Sequence, residues 1–167
     1  AETARSVDVK MTSADLLAER LDVARTEGLQ IAMCHGVFDL LHPGHLRHLA
    51  HAKELADVLV VSITADRFVN KGPGRPAFTE TLRAEALASL ESVDFVMITP
   101  DATALPAISA IKPNFYVKGG DYLDEDTDVT GNIRRERELV ESFGGKLVHT
   151  DEIVFSSSEL INRYLPQ

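Results

Sequence analysis

Residues 30–45 read QIAMCHGVFDLLHPGH, and the order of residue types in this stretch sets the fold class. It opens with a short apolar run, residues 30–34, of the kind that forms a strand covered on both faces. The run ends at His35 and Gly36, and a helix is predicted over residues 44–55. Gly36 lets backbone approach a ligand closely, while Gly44 and the free amides after it form a helix N-terminus whose dipole favours phosphate. Two imidazoles three residues apart, His42 and His45, can converge on one anion as that helix opens. A His pair that donates hydrogen bonds or carries a proton would stabilise charge developing on a phosphorus undergoing displacement. An isolated HxxH is more often a pair of solvated histidines at a helix start, or a metal site, than a catalytic pair.

Outward from this stretch the same alternation repeats. Residues 12–27 carry Leu16, Leu17, Leu21 and Val23 among good helix formers, with Ser13 as N-cap and Gly28 just past the end. Residues 58–63 form a continuous Val-rich run, and short apolar runs recur at 94–98, 114–117 and 146–149. The stretches 79–90, 102–111 and 133–143 can each hold a helix. This β-α alternation predicts a single α/β domain, a Rossmann-like open parallel sheet of about five strands with right-handed crossovers and helices on both faces. Ligands in that architecture sit at the carboxyl ends of the strands. Residues 1–29 read as a helical lead-in and 30–167 as the domain proper. The loops at 70–76 (NKGPGRP) and 119–131 both follow strands on the ligand edge.

The chain has 167 residues, enough for one core of ordinary size. Apolar residues make up 44% and charged residues 26%, a globular balance, and no apolar run is long enough to span a bilayer. The net charge of -9 disfavours an extended nucleic-acid surface while leaving room for a local anion site. A single cysteine, Cys34, excludes an internal disulfide framework and any Cys-rich zinc site; its place within the first strand suits packing. No secretory signal core follows Ala1, which points to the cytoplasm, and Ala1 in place of Met fits a processed or excised chain.

The run from His35 to His45 resembles the GxFDxxHxGH signature of the nucleotidyltransferase superfamily, shared by cytidylyltransferases and by adenylyltransferases of small phosphorylated metabolites. The resemblance continues through VSITADRF (61–68), KGPGRP (71–76), LRAEALASLESVDFV (82–96), KPNFYVKGGDY (112–122) and GGKLV (144–148). Among its branches the chain is most similar to the nucleotidyltransferase domain of ADP-heptose synthases, and next to glycerol 3-phosphate cytidylyltransferases. The resemblance implies transfer of a nucleoside monophosphate, AMP before CMP, from ATP or CTP to a sugar phosphate such as heptose 1-phosphate, with release of pyrophosphate. His42 and His45 would contact the phosphates and stabilise the transition state, and Lys71 would bring a mobile cation to the triphosphate. Gly36, Val37, Phe38 and Gly44 would line the phosphate site. Lys118, Gly119, Gly120 and Asp121 would read the base through backbone groups, and Ser156, Ser157 and Ser158 would meet the phosphates at a helix start. At the acceptor, the resemblance places Asp39 and Asp66, with Arg75 and Arg83 as phosphate-holding guanidiniums; Arg83 is equally a surface helix arginine. Mg²⁺ would be held mainly by triphosphate oxygens and water, with no protein ligands. A homodimer or larger assembly is implied, as is a kinase domain, fused or in partnership.

The chain departs from the family in places. It has no basic residue in 150–155, where the glycerol phosphate branch carries an arginine ahead of its serine- and threonine-rich turn, and it has three serines where the heptose branch reads Ser-Thr-Thr. Residues 124–138 do not map onto the heptose branch; Arg134, Arg135 and Arg137 read there as a solvated helix face beside Glu136 and Glu138. His48 and His51 read as supporting or solvated residues and His149 as structural. The competing readings are a CTP-dependent transferase acting on a polyol or other small phosphate, and a catalytically silent nucleotide-binding domain of a larger fused protein. A class I aminoacyl-tRNA synthetase shares the HxGH logic, but the chain is too short for tRNA recognition and too acidic.

Overall fold

The computed structural model describes residues 6–119, 131–151 and 163–164. Five strands, β1 (Ile31–Gly36), β2 (Val58–Thr64), β3 (Phe95–Thr99), β4 (Phe115–Lys118) and β5 (Lys146–His149), pair in parallel in the order β3-β2-β1-β4-β5. The chain builds outward from β1 to β2 and β3, then crosses back to lay β4 on the other side of β1. The topological switch point therefore lies between β1 and β4, and ligands of such sheets bind in the crevice there.

Both faces are covered, which is why the strands read as unbroken apolar runs. Successive residues of a strand point to opposite faces. Ala32, Cys34, Leu59, Val61, Ile63 and Val96 meet Leu49 and Ala52 of α3 (Pro43–Leu55) and Ala84, Leu87 and Ala88 of α4 (Glu80–Ala88). Ile31, Met33, Val60, Phe95 and Met97 meet Leu17 and Leu21 of α2 (Ala14–Thr26), Ile108 and Ile111 of α5 (Leu105–Ile111) and Val140 of α6 (Asn132–Ser142). The predicted strands and crossover helices are all present, with ends shifted by a few residues. The helix expected from residue 102 starts later, because Asp101 turns the chain by accepting from the Thr103 amide at 3.1 Å.

Ser13 caps α2 as expected, its hydroxyl accepting from the Leu16 amide. Ahead of it lies an element the sequence did not announce, the four-residue α1 (Val7–Lys10). Lys10 donates to the Leu90 carbonyl at 2.9 Å, and Met11 bridges Val96 of the edge strand β3, with the Thr12 amide donating to the Val96 carbonyl at 3.1 Å. The turn into β5 requires glycine: a Cβ on Gly145 would lie 2.5 Å from the Pro113 carbonyl oxygen. Among the described residues no helix is long and apolar enough to cross a membrane.

Candidate active site

The turn after β1 carries the two histidines to the mouth of the switch point. His42 is the N-cap of α3: its Nδ1 accepts from the His45 amide at 3.3 Å, and Pro43 follows, where a missing N–H costs nothing. With Nδ1 accepting, the neutral ring carries its proton on Nε2 and presents a donor there. The rings of His42 and His45 stack with centroids 3.8 Å apart and planes at 16°, and the Phe38 ring meets His45 edge-on at 5.3 Å. Burial lowers the His45 pKa to about 4, assisted by His42, His48 and Lys71 and opposed by a hydrogen bond with the Leu40 backbone. The two imidazoles are thus brought together, with His45 neutral. Phe38 adopts φ +50°, and its ring covers Gly36, where a Cβ would lie 3.0 Å from the ring edge. On that side the room at Gly36 belongs to Phe38 rather than to a ligand.

Three of the expected acceptor residues are held as internal fasteners. The Asp39 carboxylate accepts from Arg75 Nε and the Ala77 amide through Oδ2, each at 2.8 Å, and from the Phe78 amide through Oδ1 at 3.0 Å. Burial pushes the Asp39 pKa up, but the two amides and the Arg75 guanidinium together hold it below its ordinary value. The Asp39 and Arg75 side chains are 1% and 4% exposed. Arg83 corrects both of its sequence readings, surface residue and phosphate ligand. Its side chain has no exposed surface and donates to the Phe78 carbonyl, the Val37 carbonyl and Asp66 Oδ1 at 3.1, 2.8 and 2.7 Å. A group without accessible surface offers a substrate nothing to touch. Asp39, Arg75 and Arg83 instead bind the 71–78 loop to the turn after β1. Asp66, 37% exposed, remains reachable beside them. Lys71 stands exposed on the loop; partial burial and Arg75 lower its pKa, and Asp39 opposes them.

On the far side of the switch point Lys118 ends β4 with its ammonium 2.9 Å from Glu136 Oε2 and 5.6 Å from the centre of the Tyr116 ring. Glu136 is buried, which corrects its reading as part of a solvated helix face; Arg134, Arg135 and Glu138 are exposed as expected, and Arg137 is half-buried. His48 does act in support: its Nδ1 lies 2.6 Å from Thr150 Oγ1, and the Thr150 amide donates to the Lys118 carbonyl at 2.8 Å, tying α3 to the ends of β4 and β5. His51 is exposed and Cys34 fully buried. Gly119 has open space on its Cβ side. Gly120, Asp121, Ser156, Ser157 and Ser158 lie outside the described residues.

One cluster was not anticipated. His35 Nδ1 lies 2.6 Å from Ser62 Oγ and Nε2 lies 3.5 Å from Thr64 Oγ1; burial, then Lys118, lowers the His35 pKa to about 4. The available signal was Ser62 and Thr64, two polar residues two apart in the otherwise apolar VLVVSIT. Among the described residues no group of three or more His, Cys, Asp or Glu side chains is placed to hold a metal ion.

A family model described as cytidylyltransferase-like matches residues 33–163. The bifunctional protein HldE of Nitrobacter hamburgensis is 44% identical over 154 residues, which cover 90% of this chain and 30% of that protein. HldE of Pelobacter propionicus is 41% identical over 142 residues, covering 84% of this chain and 28% of that protein. The chain thus spans less than a third of the length of these relatives. Among solved structures, a lipopolysaccharide core biosynthesis protein from Thermoplasma volcanium superposes with a TM-score of 0.62 at 25% identity, over 76% of this chain and all of that one. A pantoate-beta-alanine ligase from Francisella tularensis superposes with a TM-score of 0.65 at 17% identity, over 91% of this chain and 72% of its own, a likeness of fold alone.

Proposed function

The chain belongs to the cytidylyltransferase-like family, and from that premise we propose that it transfers AMP from ATP to a sugar 1-phosphate of the heptose 1-phosphate type. An oxygen of the acceptor phosphate attacks the α-phosphorus in line, the bond to the β-phosphate oxygen breaks, and pyrophosphate leaves. The nucleophile is already ionised, so neither a general base nor a covalent intermediate is required, and catalysis reduces to positioning and charge neutralisation. The observation that carries the reading is the stacked His42–His45 pair on the N-terminus of α3 at the β1–β4 switch point.

In this reading His42 donates from Nε2 to a phosphate oxygen, alongside the amides of the first turn. His45 is neutral because of burial, with Lys71 among the groups that oppose a charge on it. A triphosphate would set negative charge against that burden, so His45 gains proton affinity as charge builds on the leaving group. Lys71 reaches the same phosphates from a loop whose base is fastened by Asp39 and Arg75. The acceptor is assigned to the side of Asp66, and the family resemblance assigns residues 118–121 and 156–158 to the base and phosphates. A divalent cation such as Mg²⁺, when bound, would rely on triphosphate oxygens and water rather than on protein side chains, and would supply charge neutralisation for the leaving pyrophosphate. Residues 30–167 carry the transferase and 1–29 its lead-in, with a kinase domain on the same polypeptide or in a partner, and a homodimer as the assembly.

The test is pyrophosphate release with Mg²⁺, each of ATP, CTP, GTP and UTP, and a panel of sugar 1-phosphates plus glycerol 3-phosphate, beside His42→Ala. Release that requires ATP and heptose 1-phosphate together and disappears in the variant is the expected result. CTP with a polyol phosphate would reassign both substrates. Nucleotide binding without turnover of any pair would make the chain a binding domain.

A further inference from the structure

The sheet face turned toward α2, α5 and α6 changes character at its carboxyl end. Along most of β1, β2 and β3 it carries Ile31, Met33, Val60, Phe95 and Met97, all buried and apolar. At the end of those strands the same face carries His35, Ser62, Thr64 and Thr99. Strand register sets them in two neighbouring ranks that form one diagonal row, His35 beside Ser62 and, two residues further along β2, Thr64 beside Thr99. Three hydroxyls thus occupy positions that apolar side chains would fill at less cost, since a buried polar group destabilises unless it is hydrogen-bonded. Among the described residues only part of that capacity is used. Ser62 holds His35 Nδ1 at 2.6 Å, whereas Thr64 meets Nε2 only at 3.5 Å, the outer limit of a hydrogen bond. Thr99, 1% exposed, has no hydrogen-bond partner for its hydroxyl among the described residues.

His35 is the partly exposed member of the row. It stands one residue before Gly36, at the switch point, and the row runs from it toward β2 and β3, away from β4 and β5. That direction leads to Asp66 and Lys71, both of which follow β2. The groups in the row are uncharged: burial and Lys118 keep His35 neutral, and the Lys118 ammonium is itself held by Glu136. Uncharged donors and acceptors fixed in a cleft suit alcohol groups, whereas a phosphate would call for charge. We infer that His35 is a specificity-determining residue that hydrogen-bonds a hydroxyl of the acceptor's polyhydroxy ring, its imidazole set by Ser62 and with Thr64 beside it. The inference rests on the transferase reading and adds to it the part of the site that recognises the sugar rather than its phosphate. A site built to hydrogen-bond a hydroxyl discriminates strongly against the analogue that lacks it.

The test compares the wild-type protein with His35→Phe, which keeps the ring and loses the polar atoms, and His35→Asn, which keeps polar atoms on a smaller side chain. Two readouts are taken: KM for heptose 1-phosphate and for ATP by pyrophosphate release, and the rise in melting midpoint produced by each ligand alone. His35→Phe is expected to raise the acceptor KM by about tenfold or more and to abolish the acceptor's melting shift, with ATP values within about twofold of wild type; His35→Asn recovers part of the loss. Wild-type protein assayed with sugar 1-phosphates that lack one ring hydroxyl at a time should lose about 10- to 100-fold in kcat/KM at one position, a readout that stands even if a variant misfolds. Unchanged acceptor KM in both variants, or a flat response across the deoxy series, would overturn the assignment while leaving the transferase intact. A rise in the ATP KM instead would move His35 to the nucleotide's ribose and refute the acceptor role. Wild-type protein that binds no sugar 1-phosphate and turns over none would overturn the transferase reading, and this inference with it.

Discussion

Replacing Asp39 with Asn tests whether the fastening of the 71–78 loop is structural. The carboxylate serves three donors, two on Oδ2 and one on Oδ1. An amide of the same shape has only one acceptor atom. Its better orientation keeps Arg75 Nε and Ala77 and turns the NH₂ toward the Phe78 amide, leaving one buried N–H unmatched at about 1–3 kcal/mol. It also removes the charge opposite Arg75 in a pair only 1% and 4% exposed. Breaking a buried pair by deleting one partner costs about 3–5 kcal/mol, and the retained hydrogen bonds moderate that figure. The expected sum is about 3–5 kcal/mol, a large part of a stability of about 5–15 kcal/mol, so the variant should fold with little margin. Urea unfolding followed by far-ultraviolet circular dichroism measures it. The double variant Asp39→Asn, Arg75→Gln should lose less than the sum of the single changes, by about 1–3 kcal/mol, because it strands no uncompensated charge. A single-variant loss under about 1 kcal/mol, or strict additivity, would refute the reasoning.

Gly145→Ala would drive a Cβ to 2.5 Å from the Pro113 carbonyl oxygen and 2.8 Å from Val140 Cγ1, so a loss of about 2–4 kcal/mol is expected on urea unfolding. Stability should fall on acidification between pH 6.5 and pH 4: the unfolded chain protonates His35 near its ordinary 6.5 while the folded one resists until about 4, which amounts to at most about 3 kcal/mol. His35→Gln should flatten that part of the profile, and His45, shifted the same way, should leave some slope behind. His45→Asn should lower kcat by about 10²-fold or more with the melting midpoint within a few degrees of wild type, and a loss confined to KM would argue against a role in the transition state.

Much of the architecture was legible because its signals are local. A strand covered on both faces is apolar at every position, so β2 could be read from residues 58–63 alone. The turn from β1 into α3 was legible because His42, Pro43 and Gly44 are adjacent and each acts on its neighbours. What escaped depends on partners distant in sequence. Arg83 sits between Glu80 and Glu85 on a helix and reads as solvated; its burial is decided by Val37, 46 residues away, and by Asp66. Glu136 was misread for the same reason, since its partner ends β4. The row from His35 to Thr99 exists only once the register of three strands is known. The first helix is too short and polar to carry a periodic signal.

That short N-terminal segment has a consequence for how the molecule behaves among its copies. The outer edge of β3 is the open margin of a parallel sheet, with backbone groups directed sideways and apolar residues on either face. Exposed margins of this kind recruit strands from other molecules. Met11 and Thr12 occupy the margin at Val96, and Lys10 pins the segment to the Leu90 carbonyl. The lead-in thereby serves as a guard against sheet-to-sheet aggregation: a chain trimmed to start at Ser13 would retain its five strands and its histidine pair, yet would present a free sheet edge to every neighbour in solution.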